Sequence, residues 1–592
     1  MFLRCHKRKK NGKLHQYYSV VENRRIANGR VAQKTVLYLG EITNDQEKAW
    51  RKTLGVFDVD QNKPVYKYLF AAEDESICND IDAIPVRLSR LRLSHPRAFG
   101  DCWLGCQIWD GLLLDSFWQK RIDSYKTSIA FSKVLKLLVI NRLIKPGSEF
   151  YVHQHWFDQT AMDVLLGCDF TVAQKNRLYQ CLDKILPYKD ELCQHLKERW
   201  ETLFDISYDV LLYDLTSTYF EGLCEQNPKA QFGHSKDRRS DCRQVLIALI
   251  VTPDGFPLNY EVLAGNTSEK TTLADLLTKI ESRYGKSRRV WLMDRGIPKE
   301  DTLSLMRNTG VNYLVGTPRK LLDSFEESLL HTPWERARDE VYVKSIRDQH
   351  ETYVLAKSKA RRHKERAMRH RKLRRYLLGL DKLLKNYRDR DRFFKRLGVL
   401  MHEAGSCSKC VDLQLPPEGK KVSSANFKYS FNRRVYRQMI HRDGKYFLRT
   451  NQTGKDPIEL WEQYMLQTRV EQSFKELKSD LSIRPIHHQL EGRVDAHIFI
   501  AFLGYCLQTT LRQKLRTSAP GLTSQAVLEI FSKIQLLDVY IPTQDNRTLH
   551  LQRYTEPEQE HKILLEKLKL KLPAQAPPKI YSGQAAAKKI PL

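Results

Sequence analysis

Three acidic residues in this 592-residue sequence stand where a carboxylate could hold a metal ion. Asp214 follows the apolar run 210–213, and Asp294 follows a second apolar run at 290–293. A carboxylate beside a buried apolar segment is costly unless a cation or hydrogen bonds compensate its charge. If both runs are strands of one sheet, the two carboxylates could share a divalent ion. Each aspartate taken alone could equally form a turn or cap a helix.

The third acid, Glu471, lies in a helix that we predict from about residue 457 to residue 481. Seven residues turn an α-helix by about 700°, so Tyr464, Glu471 and Lys478 share one stripe, with Gln467 and Lys475 beside it. On such a stripe a carboxylate could ligate a metal while the neighbouring side chains bind phosphate oxygens. An exposed helix with an ordinary Glu471–Lys475 ion pair would have the same spacing.

Basic residues are concentrated in two other segments. The loop 233–243 includes His234, Lys236 and Arg238, and a predicted helix at 361–375 carries more positive charge than solubility requires. Such segments are typical of binding to a phosphate backbone, whose affinity falls steeply as salt is added. An ordinary solvated loop or helix is the alternative for each of them.

The composition limits the class of protein. With 99 Lys and Arg against 70 Asp and Glu, the formal net charge is +29, which favours a polyanionic partner. A hydrophobic content of 41% with 29% charged residues indicates a folded protein rather than a basic disordered tail. The first residues contain no apolar signal core, and the longest apolar run, 498–507, is too short for a bilayer span. We therefore expect a cytoplasmic protein without a membrane segment.

The cysteine pattern favours neither disulfides nor zinc. Twelve cysteines are spread irregularly along the chain, as in proteins with reduced cytosolic thiols. Cys407 and Cys410 form a C-x2-C pair, but no second pair of ligands follows at zinc-binding spacing.

The elements that must position the acids alternate between strand and helix. Between residues 207 and 316 the pattern predicts three strands joined by short links, then helix, strand, helix and strand. This order predicts an α/β fold with a mixed sheet. The same order of elements occurs in the ribonuclease H fold.

Several segments around these acids follow one another in a characteristic order. The helix segment reads Tyr464-x2-Gln467-x3-Glu471-x6-Lys478. Six further segments accompany it, at 214–217, 232–237, 265–268, 294–296, 448–451 and 484–487. Together they resemble the blocks of bacterial insertion-sequence transposases of the DDE type, whose helix signature is Y-x2-R-x3-E-x6-K. The likeness extends from about residue 16 to residue 515, with Gln467 where that family has arginine.

The resemblance implies both the fold and the chemistry. It implies a ribonuclease H-like mixed sheet with helices on both faces, in which Asp214, Asp294 and Glu471 bind two Mg²⁺ ions, for which Mn²⁺ could substitute. With two such ions, water cuts the transposon end and the freed 3′-OH then attacks target DNA. The implied partners are double-stranded DNA carrying the terminal inverted repeats, target DNA, and a second copy of the chain in a homodimer on DNA. When bound to DNA, the protein would be associated with the nucleoid.

A further set of residues is implied to bind DNA. They are Tyr464, Gln467, Lys475 and Lys478 on the helix, with His234, Lys236, Arg238 and Arg295 in loops. Gln467 can donate a hydrogen bond to a phosphate but carries no charge.

The resemblance and the local patterns together predict six regions. They are an N-terminal β-module at 1–58 with a hairpin turn at Asn28-Gly29, a helical, DNA-binding domain at 95–204, the catalytic core at 205–318, a β-rich insertion domain with the basic helix at 319–455, the second part of the core at 456–545, and a C-terminal helix with a disordered tail at 546–592. A linker is expected at 60–82.

Two other functions remain open on the sequence alone. A structure-selective nuclease on the same fold would share the three acids but would not join DNA strands. A decayed or repurposed DNA-binding protein would keep the basic surface, and Gln467 leaves that possibility open.

Overall fold

The structure is a computed structural model of the chain. It describes residues 2–10, 13–25, 31–40, 84–123, 129–233, 239–267, 273–284, 289–294, 300–317, 332–348, 350–386, 389–418, 422–423, 425–519 and 521–581. Several predictions fall outside the described residues: the turn at Asn28-Gly29, the linker at 60–82, and the candidate DNA-binding residues His234, Lys236, Arg238 and Arg295.

The strands of the described residues form four sheets. They are β1 (Phe2–Lys10), β2 (Lys13–Arg25), β3 (Val31–Gly40), β4 (Arg92–Ala98), β5 (Val210–Tyr219), β6 (Gln244–Val251), β7 (Pro257–Ala264), β8 (Val290–Met293), β9 (Asn312–Thr317), β10 (Glu335–Arg338), β11 (Val341–Asp348), β12 (Glu351–Ser358), β13 (Val411–Gln414), β14 (Lys428–Phe431), β15 (Lys445–Thr450), β16 (Gln535–Pro542), β17 (Thr548–Tyr554) and β18 (Lys579–Tyr581).

Helices surround and connect these strands. They are α1 (Gly100–Gly111), α2 (Leu114–Ile122), α3 (Phe131–Ile144), α4 (Glu149–Tyr151), α5 (Met162–Leu166), α6 (Lys175–Ile185), α7 (Lys189–Phe204), α8 (Leu273–Tyr284), α9 (Glu300–Thr309), α10 (Lys359–Asn386), α11 (Arg390–Ala404), α12 (Arg433–His441), α13 (Pro457–Met465), α14 (Thr468–Lys475), α15 (Glu491–Ser518), α16 (Ser524–Phe531) and α17 (Gln559–Leu568).

A mixed sheet of nine strands forms the centre of the molecule, in the order β10-β11-β12-β15-β9-β8-β5-β6-β7. The strands β5, β6 and β7 are antiparallel neighbours, whereas β8 and β9 run parallel to β5. Three antiparallel strands followed by two parallel ones, with helices in the later connections, match the ribonuclease H order. The predicted fold class is confirmed.

The strongest apolar runs form the strands at the centre of this sheet. Every residue of β6 and of β8 is buried. A strand that is covered on both faces needs continuous apolar residues rather than alternation, which is how both segments read in the sequence. Asp294, which directly follows β8, therefore lies at the boundary between the core and solvent.

The insertion between β9 and α13 has two parts. The strands β10, β11, β12 and β15 extend the central sheet beyond β9. Residues 359–443, here called the insertion module, are mostly helical and have a separate hydrophobic core that includes Tyr376, Phe393 and Phe427. The insertion is thus only partly β-rich, because its apolar residues recur at helical spacing after residue 359. Cys407 and Cys410 are buried in this core, and burial raises the pKa of both thiols.

The C-terminal segment differs from the expected disordered tail. The strands β4, β16, β17 and β18 form one sheet, and β18 pairs with β17 through Lys579, Ile580 and Tyr581. Backbone hydrogen bonds to an open strand edge need no apolar pattern, so the Pro- and Ala-rich composition did not reveal β18. The predicted boundaries at 95 and at 546 fall inside this sheet: residue 95 lies within β4, and residue 546 lies between the paired strands β16 and β17.

The 28-residue helix α15 passes through the main core. By length and hydropathy alone it could cross a membrane, but 94% of its most apolar window is buried inside the protein. Its contacts with α1, α3 and α6 explain the apolar composition, since helices that are apolar on all sides are usually core helices or membrane spans.

One buried ion pair fixes α10 of the insertion module to the turn that leads into β15. The Asp443 side chain, just before β15, is completely buried and accepts hydrogen bonds from both terminal nitrogens of Arg369 in α10. The neighbouring backbone amide of Gly444 donates to Glu365 at 2.9 Å. The turn at Asp443-Gly444 therefore also anchors α10.

Replacing this anchor should destabilise the module. We expect Asp443→Asn to lower the free energy of unfolding by about 3 kcal/mol, because Arg369 would keep its charge without the buried carboxylate that compensates it. Glu403→Gln, at an exposed position of α11, is the matched control and should change stability by less than about 0.5 kcal/mol. Calorimetric unfolding of the two variants measures the difference, and equal stabilities would contradict the anchoring role.

Candidate active site

The first two acids are brought together by the register of two parallel strands. Tyr213 of β5 pairs with Met293 of β8, so Asp214 and Asp294 are the next residues along two adjacent chains. Asp214 is half-buried and Asp294 is exposed. The sequence predicts Asp214 near the end of its strand, whereas β5 continues for five residues beyond it. Both carboxylates thus lie level with the C-terminal end of the short strand β8.

The third acid lies on a helix that packs against β5. Glu471 is an exposed residue of α14. In the part of the chain that the structure describes, the carboxylate oxygens of Asp214, Asp294 and Glu471 do not all lie within 4.8 Å of one another. In two-metal sites the two ions lie about 4 Å apart. Carboxylate oxygens are the donors that Mg²⁺ and Mn²⁺ prefer.

The prediction of one continuous helix from 457 to 481 is wrong. The chain forms α13, then a tight turn, α14, and a π-helical turn at Glu476–Asp480. The turn has i to i+3 hydrogen bonds, from the amide of Gln467 to the Tyr464 carbonyl and from the amide of Val470 to the Gln467 carbonyl, both at 3.1 Å. The Thr468 hydroxyl also donates to the Met465 carbonyl, a local hydrogen bond of the kind that competes with helical bonding.

These interruptions change which side chains share one face of the helix. An i to i+3 turn rotates the chain by about 120° per residue, and a π-turn is wider than an α-turn. Tyr464, Glu471 and Lys478 therefore lie on three different local helices, and their seven-residue spacing no longer implies one stripe. Gln467 is half-buried at the N-cap of α14, and Lys475 is exposed at its last position.

Buried polar contacts hold α14 against α15. The Tyr505 hydroxyl of α15 donates to the Gly255 carbonyl at 2.5 Å and lies 2.7 Å from the Ser473 hydroxyl of α14. Gly255, in the turn between β6 and β7, has a φ of +88°, and a Cβ there would come within 2.5 Å of the Arg512 guanidinium. Tyr505 thus ties the helix that carries Glu471 to both α15 and the sheet.

A buried ion pair fixes the C-terminal end of α14. The Arg512 guanidinium lies 2.5 and 2.6 Å from the two carboxylate oxygens of Glu476, and Gln472 donates to the same carboxylate at 3.2 Å. Burial raises the pKa of Glu476, and the positive charge of Arg512 opposes that rise. Together with Tyr505, this pair restrains the helix on both sides of Glu471.

A second ion-pair network lies beyond Asp294. Glu300, at the start of α9, is paired with Arg449 of β15 at 2.6 Å and with Arg307 at 2.9 Å. Hydrogen bonds from these two arginines lower the pKa of Glu300 to about 2. Arg449 also contacts Glu351 of β12 at 2.7 Å. The segment 448–451 therefore connects the insertion to the helix that follows Asp294 in the chain.

The segment 484–487 lies at the far end of β5. The Ile486 amide donates to the Tyr219 carbonyl at 3.0 Å, and Ile486 forms a parallel bridge with Phe220. The end of β5 is thus paired with the segment that follows the π-helical turn.

A buried cluster of Glu149, His488 and His497 has the residue types of a metal site, but its hydrogen bonds indicate another role. His497 Nε2 lies 3.1 Å from the Ile483 carbonyl and Nδ1 lies 3.4 Å from the Arg142 guanidinium, so both ring nitrogens are occupied. Burial and the Arg142 charge lower the pKa of His497 to about 3. Burial opposes ionisation of Glu149, yet His488 at 3.3 Å lowers its pKa to about 2. The cluster joins the helical region to the segment after the π-turn.

Comparison with known families identifies the domains. Residues 207–507, just over half of the chain, match the family model described as Transposase DDE domain. The chain belongs to the DDE transposase family. Residues 3–55 match the IS1634 family transposase, N-terminal domain, so the resemblance to insertion-sequence transposases is confirmed. No curated protein gives a significant match.

One solved structure with detectable similarity to this transposase is the cryo-EM structure of the piggyBac transposase synaptic complex with hairpin DNA. The sequence identity is 9%, the match covers 74% of this chain and 82% of that chain, and the TM-score is 0.34. Similarity at this level carries no argument about fold or function.

Several residues that position the candidate site were not found from the sequence. Tyr505, Arg512, Glu300 and Glu351 each act through a partner more than 30 residues away. Residues of this kind leave no local signal in the sequence, because their partners are distant. The one available signal was the segment 448–451, whose resemblance to a family block includes Arg449.

Removing the Arg512 charge should loosen the Glu471 helix. We expect Arg512→Gln to lower the free energy of unfolding by about 3 kcal/mol, because Glu476 would lose its buried partner. Arg516→Gln is the matched control one turn later on α15: its pair with Asp254 is half-exposed, so we expect a change below about 1 kcal/mol. Urea unfolding of both variants measures the difference. Equal losses would mean that the buried pair does not hold this helix.

Proposed function

We propose that this transposase cuts the ends of its insertion sequence by hydrolysis and joins the freed 3′ ends to target DNA. The parallel register that sets Asp214 beside Asp294, with the Glu471 helix packed on β5, is the observation that carries the proposal. Phosphoryl transfer of this type requires two steps at phosphorus. In the first, water attacks and the 3′ oxygen leaves; in the second, the freed 3′-OH attacks a target phosphate and a target oxygen leaves.

Asp214, Asp294 and Glu471 would hold the metal ions. When two Mg²⁺ ions are bound, they supply Lewis-acid activation of the nucleophile and stabilisation of the leaving oxygen, and Mn²⁺ could substitute. Three carboxylates supply the negative charge that such ions need while leaving coordination positions for water and phosphate. Because Asp294 and Glu471 are exposed, a DNA phosphate can approach them from solvent.

Side chains around Glu471 would position the DNA. Lys475 and Lys478 offer positive charge, whereas Tyr464 and Gln467 offer hydrogen bonds without charge. Gln467 supplies no electrostatic attraction at the position where the family signature has arginine, so the lysines would carry the attraction to phosphate. The loop residues His234, Lys236, Arg238 and Arg295 are assigned to the same role on the resemblance alone.

The regions outside the core would assemble the complex. The N-terminal β-module and the helical domain would recognise the inverted repeats, and two copies of the chain would pair two transposon ends on DNA. The net charge of +29 is consistent with a polyanionic partner and with mutual repulsion between free copies. We place the protein in the cytoplasm, on the nucleoid when it is bound to DNA.

An isosteric substitution tests the metal-binding role. We expect Asp294→Asn to bind DNA as the unsubstituted chain does but to lose at least about 100-fold in cleavage, because an amide is a poor ligand and does not neutralise an ion. Asp301→Asn, an exposed aspartate in the first turn of α9, is the matched control and should cleave normally. The measurement is nicking, with Mg²⁺, of DNA that flanks the gene in its own genome.

The products of the same reaction separate the remaining functions. Joined donor and target DNA would support transposition, and cuts without joined products would favour a structure-selective nuclease. Binding without any Mg²⁺-dependent cleavage would favour a repurposed DNA-binding protein. Undiminished cleavage by Asp294→Asn would overturn the assignment of the triad.

A further inference from the structure

The positive charge of the chain is concentrated in the insertion module. Residues 359–443 contain 25 Lys and Arg against 8 Asp and Glu, a surplus of 17 out of the net +29 of the whole chain. The module is about a seventh of the sequence. The module has a hydrophobic core separate from that of the catalytic sheet, so these cations lie on the surface of a separately packed unit.

One face of α10 carries a line of exposed cations. Arg361, Lys364, Arg371, Arg375 and Lys382 recur at intervals that place them on one side of the helix, and all five are exposed. We call these residues the cationic row. From first to last they span roughly 30 Å at 1.5 Å per residue, close to the length of one turn of duplex DNA.

The opposite face of the same helix has a structural role. Leu373, Tyr376 and Leu380 are buried in the module core. Arg366 and Arg369 also face inward, toward Asp443. Arg366 and Arg369 therefore have a structural partner, whereas the residues of the cationic row face solvent.

The cationic row has few protein partners. Among the described residues, Arg361 pairs with Glu365 at 3.2 Å, whereas Lys364, Arg371 and Arg375 have no carboxylate within ion-pair distance. Arg371 and Arg375 are four residues apart, a spacing at which like charges repel and weaken a helix. A surface needed only for solubility would mix the two signs. The cationic row instead has the features of an anion-binding surface.

The topology places the row near the candidate active site. β12 is antiparallel to β15, which is antiparallel to β9, so β12 runs parallel to β8. The α10 helix therefore begins at the same edge of the sheet as Asp294. Ser358, at the end of β12, lies three strands away from Met293 across the sheet and five residues further along the strand direction. Together these offsets correspond to a distance of roughly 20 Å. One DNA duplex could reach both places.

A second helix of the module adds to the surface. Arg433, Arg434 and Arg437 are exposed on α12, while Val435 and Met439 on its other side pack against the module core. The whole module thus presents cations to solvent from two helices. Duplex DNA, with one negative charge per about 1.7 Å of its axis, is the polyanion that matches an extended row.

We propose that the cationic row of the insertion module binds the phosphate backbone of duplex DNA, independently of its base sequence, beside the DNA that enters the active site. The proposal takes DNA as the ligand from the proposed function but does not require that the three acids catalyse. Phosphate contacts position a duplex and carry no sequence information.

A triple substitution with an equally charged control tests this surface. In the full chain, Lys364→Gln, Arg371→Gln and Arg375→Gln are combined, and the control combines Lys562→Gln, Lys567→Gln and Lys571→Gln at exposed positions of the C-terminal region. Both variants lose three positive charges. The probe is a 30-base-pair DNA duplex of arbitrary sequence, titrated at several salt concentrations in EDTA, with a duplex RNA of the same length for comparison.

We expect the row variant to bind the DNA duplex at least tenfold more weakly, with a log–log salt slope reduced by about 2 to 3, since each lost phosphate contact removes about 0.9. The control should change less than twofold, and both should keep the melting temperature of the unsubstituted chain. Equal losses in both variants, no loss in the row variant, or tighter binding of the RNA duplex would overturn the proposal. Because no divalent ion is present, failure of the triad to cleave would not affect this result.

Discussion

The parallel pairing of β5 with β8 is the constraint on which the candidate site depends. It sets Asp214 and Asp294 at equivalent positions on adjacent chains, although 79 residues separate them in the sequence. A parallel pair needs a long crossover connection, which the β6–β7 hairpin and α8 provide. A register shift of one residue would turn one carboxylate to the opposite face of the sheet. The buried apolar residues of both strands oppose such a shift.

Buried ion pairs fix the elements around this strand pair. Arg512–Glu476 holds the Glu471 helix, Arg307–Glu351 joins α9 to β12 of the insertion, and Arg369–Asp443 ties α10 to the turn before β15. Such pairs add little net stability, since desolvation offsets most of their attraction, but losing one partner is costly. These pairs mainly determine how the elements are positioned, because a buried charged group with few alternative partners specifies where its element must pack. Each of the three lies where two elements distant in sequence meet.

The charges divide into two groups with different physical roles. Inward arginines pair with carboxylates and are desolvated, whereas the exposed arginines and lysines of the insertion module are surrounded by like charges. The first group contributes to the shape of the protein at any salt concentration. The second group creates a field that salt screens within about 10 Å at 0.1 M. A chain that combines both can keep its fold while its contacts to a polyanion remain adjustable.

Patterns confined to a few consecutive residues were sufficient to predict much of this protein. The apolar runs before Asp214 and Asp294 predicted strands of one sheet, the order of elements predicted the ribonuclease H fold, and the blocks around Glu471 indicated the family. The excess of positive charge around α10 was likewise visible as composition. These features are local, because strand and helix periodicity and charge density do not depend on distant partners.

The tertiary structure alone decided how these parts are held. The turn at Leu466-Gln467 interrupts a helix that periodicity extends, and β18 pairs through its backbone without any apolar pattern. The partners Tyr505 and Ser473 are 32 residues apart, and Arg449 and Glu300 are 149 apart. A buried ion pair or hydrogen bond between distant residues leaves no periodic trace in the sequence, because each partner is chosen by the three-dimensional packing and not by its neighbours in the chain.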